Sequence, residues 1–359
     1  MRRFLYKFFY ALIALVALVF IVLLLASPRQ TEPYPSQNDA PNSGITEIRD
    51  IELNNAKQRI LIRGKDLDNP LLLHLHGGPG GVDQALLSAK GFNIEDLYTV
   101  VFWDQRGAGA SYSSDLDQDT INLNQIVADG IALSEYLLTE FDQESLFLQG
   151  HSWGTLLGTH IVSKRPDLFS AYIGVGQFAH AKESEKRSYE FALSAANAAS
   201  DAKALETLNE IGPPPYTSDQ EWINNVMIQR GAMQPYEMPD GSMVFSMIDI
   251  YRHFVFYRGY SIPEKLRALE GSKVSLNNIW MEVVNSNLFE SHAEFELPVF
   301  ILQGKYDQHT VTSVAREYFD HIKAPQKEYY LFSNSAHWPH LKESEKYREI
   351  LSTIRMKLR

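Results

Sequence analysis

The chain contains no cysteine among its 359 residues. That absence excludes disulfides, a cysteine nucleophile, thiolate metal sites and lipid attachment through sulfur. It leaves the redox compartment open. Positive charge is also scarce in any local sense. No run of five Lys or Arg exists, and the formal net charge is −11. A nucleic-acid partner needs a basic patch to displace counterions from phosphates, so that class is set aside. His74 and His76 are spaced like a metal pair but lack a third ligand at metal-site spacing. The expectation is a protein without metal or cofactor. No internal repeat is visible. What remains is an ordinary globular composition, 45% hydrophobic and 21% charged, long enough for one or two domains.

The N-terminus carries an apolar run, Phe8 to Ala26, with Arg2, Arg3 and Lys7 before it. A helix crosses a bilayer with about 20 such residues. The run is longer than the roughly 7–15 residues of a signal peptide's apolar region. The Leu24-Leu25-Ala26 stretch also has a bulky residue where a cleavage site prefers a small one. The expectation is a single transmembrane anchor over residues 1–26. The positive-inside rule then puts the rest of the chain on the periplasmic or extracellular side. Residues 27–44, rich in Pro, Ser, Asn and Gln, are expected to be a disordered linker.

From Ile45 onward the pattern is that of a folded domain. Residues 45–53 and 59–62 alternate like two antiparallel strands. Short apolar runs at 71–73, 99–103 and 146–148 end in Gly-containing loops, as buried parallel strands do. Helical stretches at 121–141 and 153–164 separate or follow them. The alternation stops after residue 174 and resumes at 298–302, with a helix at 311–322, a strand at 328–332 and a final helix at 343–357. Alternating strands and helices predict a mostly parallel central sheet with helices on both faces. The division expected is a core over 45–176 and 297–359, and an inserted helical cap over 177–296.

Gly150-His151-Ser152-Trp153-Gly154 is a G-x-S-x-G motif between an apolar strand and a helix-compatible segment. In that setting the serine sits on a strained strand-to-helix turn as a nucleophile, the elbow of the α/β-hydrolase fold. Its acid and base follow in the order Ser, acid, His. Asp307, just past the strand at 298–302, is the expected acid; Asp320 competes from inside a helical stretch. His337, in the loop after the last strand, is the expected base; His340 is the alternative. His74, His76, His151, His292, His309 and His321 are passed over for their position. The oxyanion would be held by backbone N–H groups of Trp153 and of the loop His76-Gly77-Gly78-Pro79-Gly80, with Gly78 first and Gly77 second. Asp104-Gln105-Arg106-Gly107 reads as a turn held by an Arg–carboxylate pair.

HGGPG at 76–80, DQRGAGAS at 104–111, GHSWGT at 150–155 and the settings of Asp307 and His337 together resemble the prolyl aminopeptidase (proline iminopeptidase) family of α/β-hydrolases. The resemblance covers about residues 45 to 355. It implies a triad of Ser152, Asp307 and His337, with Gly78 and Trp153 as the oxyanion hole. It departs at Ala108, where the family often has Cys, and at His151, where it often has Gly. In that family, cap carboxylates bind the substrate's free amine and a small apolar pocket takes proline. The cap acids here include Glu183, Glu185, Glu190 and Glu221. Glu190 and Glu221, with Gly77, are the substrate-binding candidates. The implied substrate is a small peptide with N-terminal proline or another small apolar residue. An esterase or lipase-like hydrolase is the alternative, its acyl chain held by Met227, Met233, Met238, Met243, Met247, Phe254, Phe256 and Tyr257. A third possibility is a non-catalytic binding protein, against which the intact triad argues.

Overall fold

The computed structural model describes residues 2–25, 27–29, 44–90, 92 and 94–358. The first helix, α1, is Arg2–Leu25. Here the expected anchor is corrected. Among the described residues no helix is long and apolar enough to cross a membrane. Arg2, Arg3 and Lys7 fall within the first two turns of α1. The uncharged stretch from Phe8 to Leu25 then spans about 27 Å at 1.5 Å per residue. A typical hydrocarbon core is about 30 Å thick. The expected placement beyond a membrane falls with the anchor. Most of the expected linker, residues 30–43, lies outside the described residues. Ser27 and Arg29 rest on the folded domain. Lys265 Nζ donates to Ser27 Oγ at 2.7 Å, and the Arg29 guanidinium lies 2.6 Å from Asp50.

Strands β1 (Ile45–Leu53) and β2 (Ala56–Gly64) form a hairpin in which Leu53 faces Ala56. Its two-residue turn is Asn54-Asn55, with φ of 45° and 62°. That left-handed pair matches the twist of the strands, and Asn tolerates it better than most residues. Then come β3 (Leu71–Leu75), α2 (Gln84–Lys90), β4 (Thr99–Asp104), α3 (Leu123–Glu140), β5 (Leu146–His151), α4 (Trp153–Lys164) and β6 (Phe169–Val175). The sheet order is β1-β2-β4-β3-β5-β6-β7-β8, where β7 is Val299–Gly304 and β8 is Lys327–Phe332. β2 pairs antiparallel with β1 and β4; every other pairing is parallel. The mostly parallel sheet read from the sequence is therefore present.

Both faces of the sheet are covered, which is why its central strands are apolar without alternation. Successive side chains of β3 point to opposite faces. Leu71, Leu73 and Leu75 pack with Ile126, Leu133, Leu156 and Ile161 of α3 and α4. Leu72 packs on the other face with Leu87 of α2 and with Tyr347 and Leu351. The last two belong to the final helix of the chain. Each such leucine contributes roughly 1.5–3 kcal/mol by leaving water.

Between β6 and β7 run α5 (Ala181–Ala198), α6 (Ala202–Ile211), α7 (Asp219–Glu237), α8 (Met247–Phe256), α9 (Ile262–Val284) and α10 (Leu288–Ser291). Helices α5, α6 and α7 bury Tyr189, Ala192, Leu208 and Met233 among themselves. Trp222 and Val226 of α7 meet Trp280 and Val284 of α9. Helix α9 then reaches the main domain, where Ser275 Oγ donates to the carbonyl of Gly107 at 2.9 Å. After β7 the chain forms α11 (Thr312–His321), β8, α12 (Pro339–Lys342) and α13 (Ser344–Lys357), the helix that carries Tyr347 and Leu351.

Candidate active site

Four loops leave the carboxyl ends of parallel strands and converge, where open α/β sheets bind ligands. They follow β3, β5, β7 and β8. Ser152 occupies the turn between β5 and α4 with φ 55° and ψ −119°. A left-handed φ at serine is strained, and such strain persists only where the surroundings enforce it. The flanking glycines show the enforcement. A Cβ on Gly150 would lie 2.2 Å from the carbonyl oxygen of Gly154. A Cβ on Gly154 would lie 2.2 Å from that of Leu75. Strand, turn and helix can approach this closely only without side chains at those two positions.

Asp307 is fully buried and its carboxylate is saturated. Oδ1 accepts from the backbone N–H groups of His309 and Thr310 at 2.8 and 3.0 Å. Oδ2 accepts from Thr310 Oγ1 at 2.8 Å and Gln303 Nε2 at 3.0 Å. Oδ2 also lies 3.0 Å from His337 Nδ1. Burial pushes the Asp307 pKa up, but His337 and these donors overcome it, so the carboxyl lies well below its usual range. His340 makes no such contact. Among the described residues both of its ring nitrogens lack hydrogen-bond partners. Asp320 is exposed and pairs with Arg316 at 2.9 Å on its own helix.

Ser152, His337, Gly77 and Gly78 border one cavity of about 420 Å³. A Cβ on Gly77 would sit 3.4 Å from that of Ser152, so the glycine loop lies directly against the serine. Trp153 opens α4. Its N–H is thus one of the four that a helix leaves without an internal partner, at the positive end of the helix dipole. Gln105 ties Trp153 to the loop after β3. Its Oε1 accepts from Trp153 Nε1 at 2.9 Å and its Nε2 donates to the carbonyl of His76 at 3.3 Å. Arg106 pairs with Asp129 of α3 through two contacts of 2.6 and 2.9 Å. His74 contacts Asp83 at 2.9 Å and Gln149 at 3.2 Å. His76 Nδ1 contacts the carbonyl of Gly77 at 2.8 Å.

The carboxylates on the helices between β6 and β7 do not follow the sequence choice. Glu221 is exposed and closes a capping box with Ser218 at the start of α7. Glu190 is exposed on α5. Neither borders the cavities beside Ser152. Glu185 does. It borders a small chamber of about 40 Å³ together with Ser152, Trp153 and Gly78. It is buried, lies 2.6 Å from Arg230 and receives Gln229 Nε2 at 3.2 Å. Burial raises its pKa, against the pull of Arg230. The signal was on α5 itself: Ala181, Ser184, Glu185, Ser188, Tyr189 and Ala192 share its buried face, and Glu185 is the acid in that stripe. Arg230, Trp280 and His309 also line the site and carried no motif.

Residues 70–344 match the family described as alpha/beta hydrolase fold. The chain belongs to the α/β-hydrolase family. A relative from Bacillus subtilis (strain 168), a probable aminopeptidase YbaC, is 31% identical over 312 residues, 86% of this chain and 96% of its own. A proline iminopeptidase from Heyndrickxia coagulans is 22% identical over 289 residues, 77% of this chain and 87% of its own. Among solved structures, a proline iminopeptidase-related protein from Thermus thermophilus shares the fold with a TM-score of 0.61 at 16% identity. That match covers 88% of this chain and 98% of the other. The resemblance to proline iminopeptidases read from the motifs agrees with these relatives, and the protein is a hydrolase.

Proposed function

We propose that this hydrolase is a serine aminopeptidase that releases a small apolar N-terminal residue, proline among them, through an acyl-enzyme. The observation that carries the reading is Glu185, a buried carboxylate bordering the same small chamber as Ser152. A free ammonium placed on Glu185 would bring the first carbonyl of a peptide to Ser152. The residues 177–296 act in this reading as a cap that supplies the carboxylate, over a core of 45–176 and 297–359.

The chemistry follows from the contacts. Asp307 holds His337 by Nδ1, which leaves Nε2 for the proton of Ser152. Oγ of Ser152 attacks the carbonyl as His337 takes that proton. The oxyanion is held by the N–H groups of Trp153 and Gly78, or of Gly77. His337 returns the proton to the amine nitrogen, the C–N bond breaks and the peptide leaves. Water then repeats the sequence on the ester, with His337 as base. Asp307 stays ionised throughout and steadies the imidazolium.

A second reading, an esterase, is favoured by the apolar cavity next to Ser152, where Met227 and Phe254 form part of the wall. One comparison separates the two. Proline p-nitroanilide is assayed with and without an N-acetyl group, beside a p-nitrophenyl ester. The aminopeptidase cleaves the free amine and rejects the acetylated anilide. Equal cleavage of both anilides, or turnover of the ester alone, overturns the reading.

A further inference from the structure

Two chambers of unequal size meet at Ser152. The small one is about 40 Å³ and the large one about 420 Å³. Their shared boundary is Gly78, Ser152, Arg230, Trp280 and His309. Two of these form a wall. The Arg230 guanidinium lies 5.6 Å from the centre of the Trp280 ring, and Trp280 is buried.

The direction of the reaction across that wall is fixed by the proton donor. In acyl transfer the group that protonates the leaving amine must stand on the leaving side. His337 borders the large chamber and is not among the residues of the small one. Trp153, with its helix-start N–H, borders the small one. The small chamber therefore takes the acyl residue and the large chamber the leaving group. Ile250, Phe254, Leu269, Leu276 and Trp338 give the large chamber apolar walls.

Resting on the aminopeptidase reading, we propose that this hydrolase selects its substrate mainly on the leaving side. The preferred class is a small N-terminal residue followed by a bulky apolar one, with the Trp280–Arg230 pair excluding large acyl groups. An apolar side chain that leaves water for this chamber gains about 25 cal/mol per Å². The small chamber has no room to reward the same group. A further cavity of about 490 Å³ also borders His337, but Glu237 and Lys342 stand in its wall, and an apolar group gains less there.

The test compares kcat/KM for alanyl-glycinamide, alanyl-phenylalaninamide and phenylalanyl-glycinamide. Wild type is expected to favour alanyl-phenylalaninamide over alanyl-glycinamide by about tenfold or more, and to cut phenylalanyl-glycinamide worst. Leu269 is 52% exposed, so Leu269→Asp changes the chamber without threatening the fold. It should cut that preference about tenfold, mainly through KM. Trp280→Leu should raise the rate on phenylalanyl-glycinamide relative to wild type. An unchanged preference in Leu269→Asp, or phenylalanyl-glycinamide as the best wild-type substrate, overturns the proposal while leaving the aminopeptidase reading standing. If no free-amine peptide is cut, that reading falls, and esters decide the partition by the same logic. Benzyl acetate must then outpace its isomer methyl phenylacetate, whose leaving alcohol has nearly the same basicity; the reverse order overturns it.

Discussion

His309 lies flat against His337, with ring centres 4.6 Å apart and planes 15° from parallel. Burial first, and then the charge of His337, hold the His309 pKa well below its ordinary value, so it is neutral at working pH. A neutral ring can fix the tilt of His337 without competing for its proton. His309→Ala is expected to lower kcat about ten- to a hundredfold through loss of that orientation, with KM changed little. His309→Phe, which restores a flat ring, should recover most of the loss. Steady-state kinetics on a free-amine anilide check it. A phenylalanine variant as slow as the alanine one would show that the stack does not position His337.

His309 also illustrates what the sequence conceals. The positions of the elbow, the glycine loop, Asp307 and His337 could be read because each lies just past a strand, and strand order does the rest. His309 was passed over because it is two residues from Asp307. That spacing argues against it as the partner of Asp307 but not against stacking on His337. The stretch between β6 and β7 was opaque for a different reason. Its helices pack on each other, so an acid's role depends on which face is buried. Glu221 belongs to a capping box written in Ser218 and its own position, and could have been set aside on that pattern alone. Glu185 required the periodicity of α5. The first helix falls short of the expected anchor because the uncharged stretch after Lys7 spans only about 27 Å, less than a typical hydrocarbon core.

The proposed nucleophile and its orienting acid should fail differently. Ser152→Ala should reduce kcat by about 10⁵–10⁶. Asp307→Asn should reduce it by about 10⁴ because the His337 tautomer is no longer enforced. Single-turnover measurement on the anilide reads both. Near-normal turnover in the serine variant would remove Ser152 from the mechanism.

Gly154 offers a test of the elbow's packing alone. A methyl group there would meet the carbonyl of Leu75 at 2.2 Å, and backbone cannot step aside as a side chain can. Gly154→Ala is expected to destabilise the protein by about 3 kcal/mol or more. Thermal melting at fixed pH reads this, and a variant that melts with the wild type would contradict the tight packing of α4 on β3.

Glu237 should give the protein a pH-dependent stability of identifiable sign. Burial, and then the charge of Asp307, push its pKa from 4.5 up to about 7. The folded state therefore binds a proton more tightly than the unfolded state does. The resulting stability is present in full below about pH 4.5 and is lost as pH rises through about 7. The shift corresponds to roughly 3 kcal/mol at its limit. Gln cannot ionise, and its carbonyl can still accept the long 3.4 Å contact from the N–H of Gln308. Glu237→Gln should thus melt with the wild type near pH 4.5 and several degrees above it at pH 8. Asp307, whose lowered pKa makes stability fall toward acid, is common to both proteins and cancels in the difference. A melting difference that stays constant from pH 4.5 to 8, or one that favours the wild type at high pH, would mean that Glu237 is not held in the charged-disfavouring setting between α7 and the Asp307 loop.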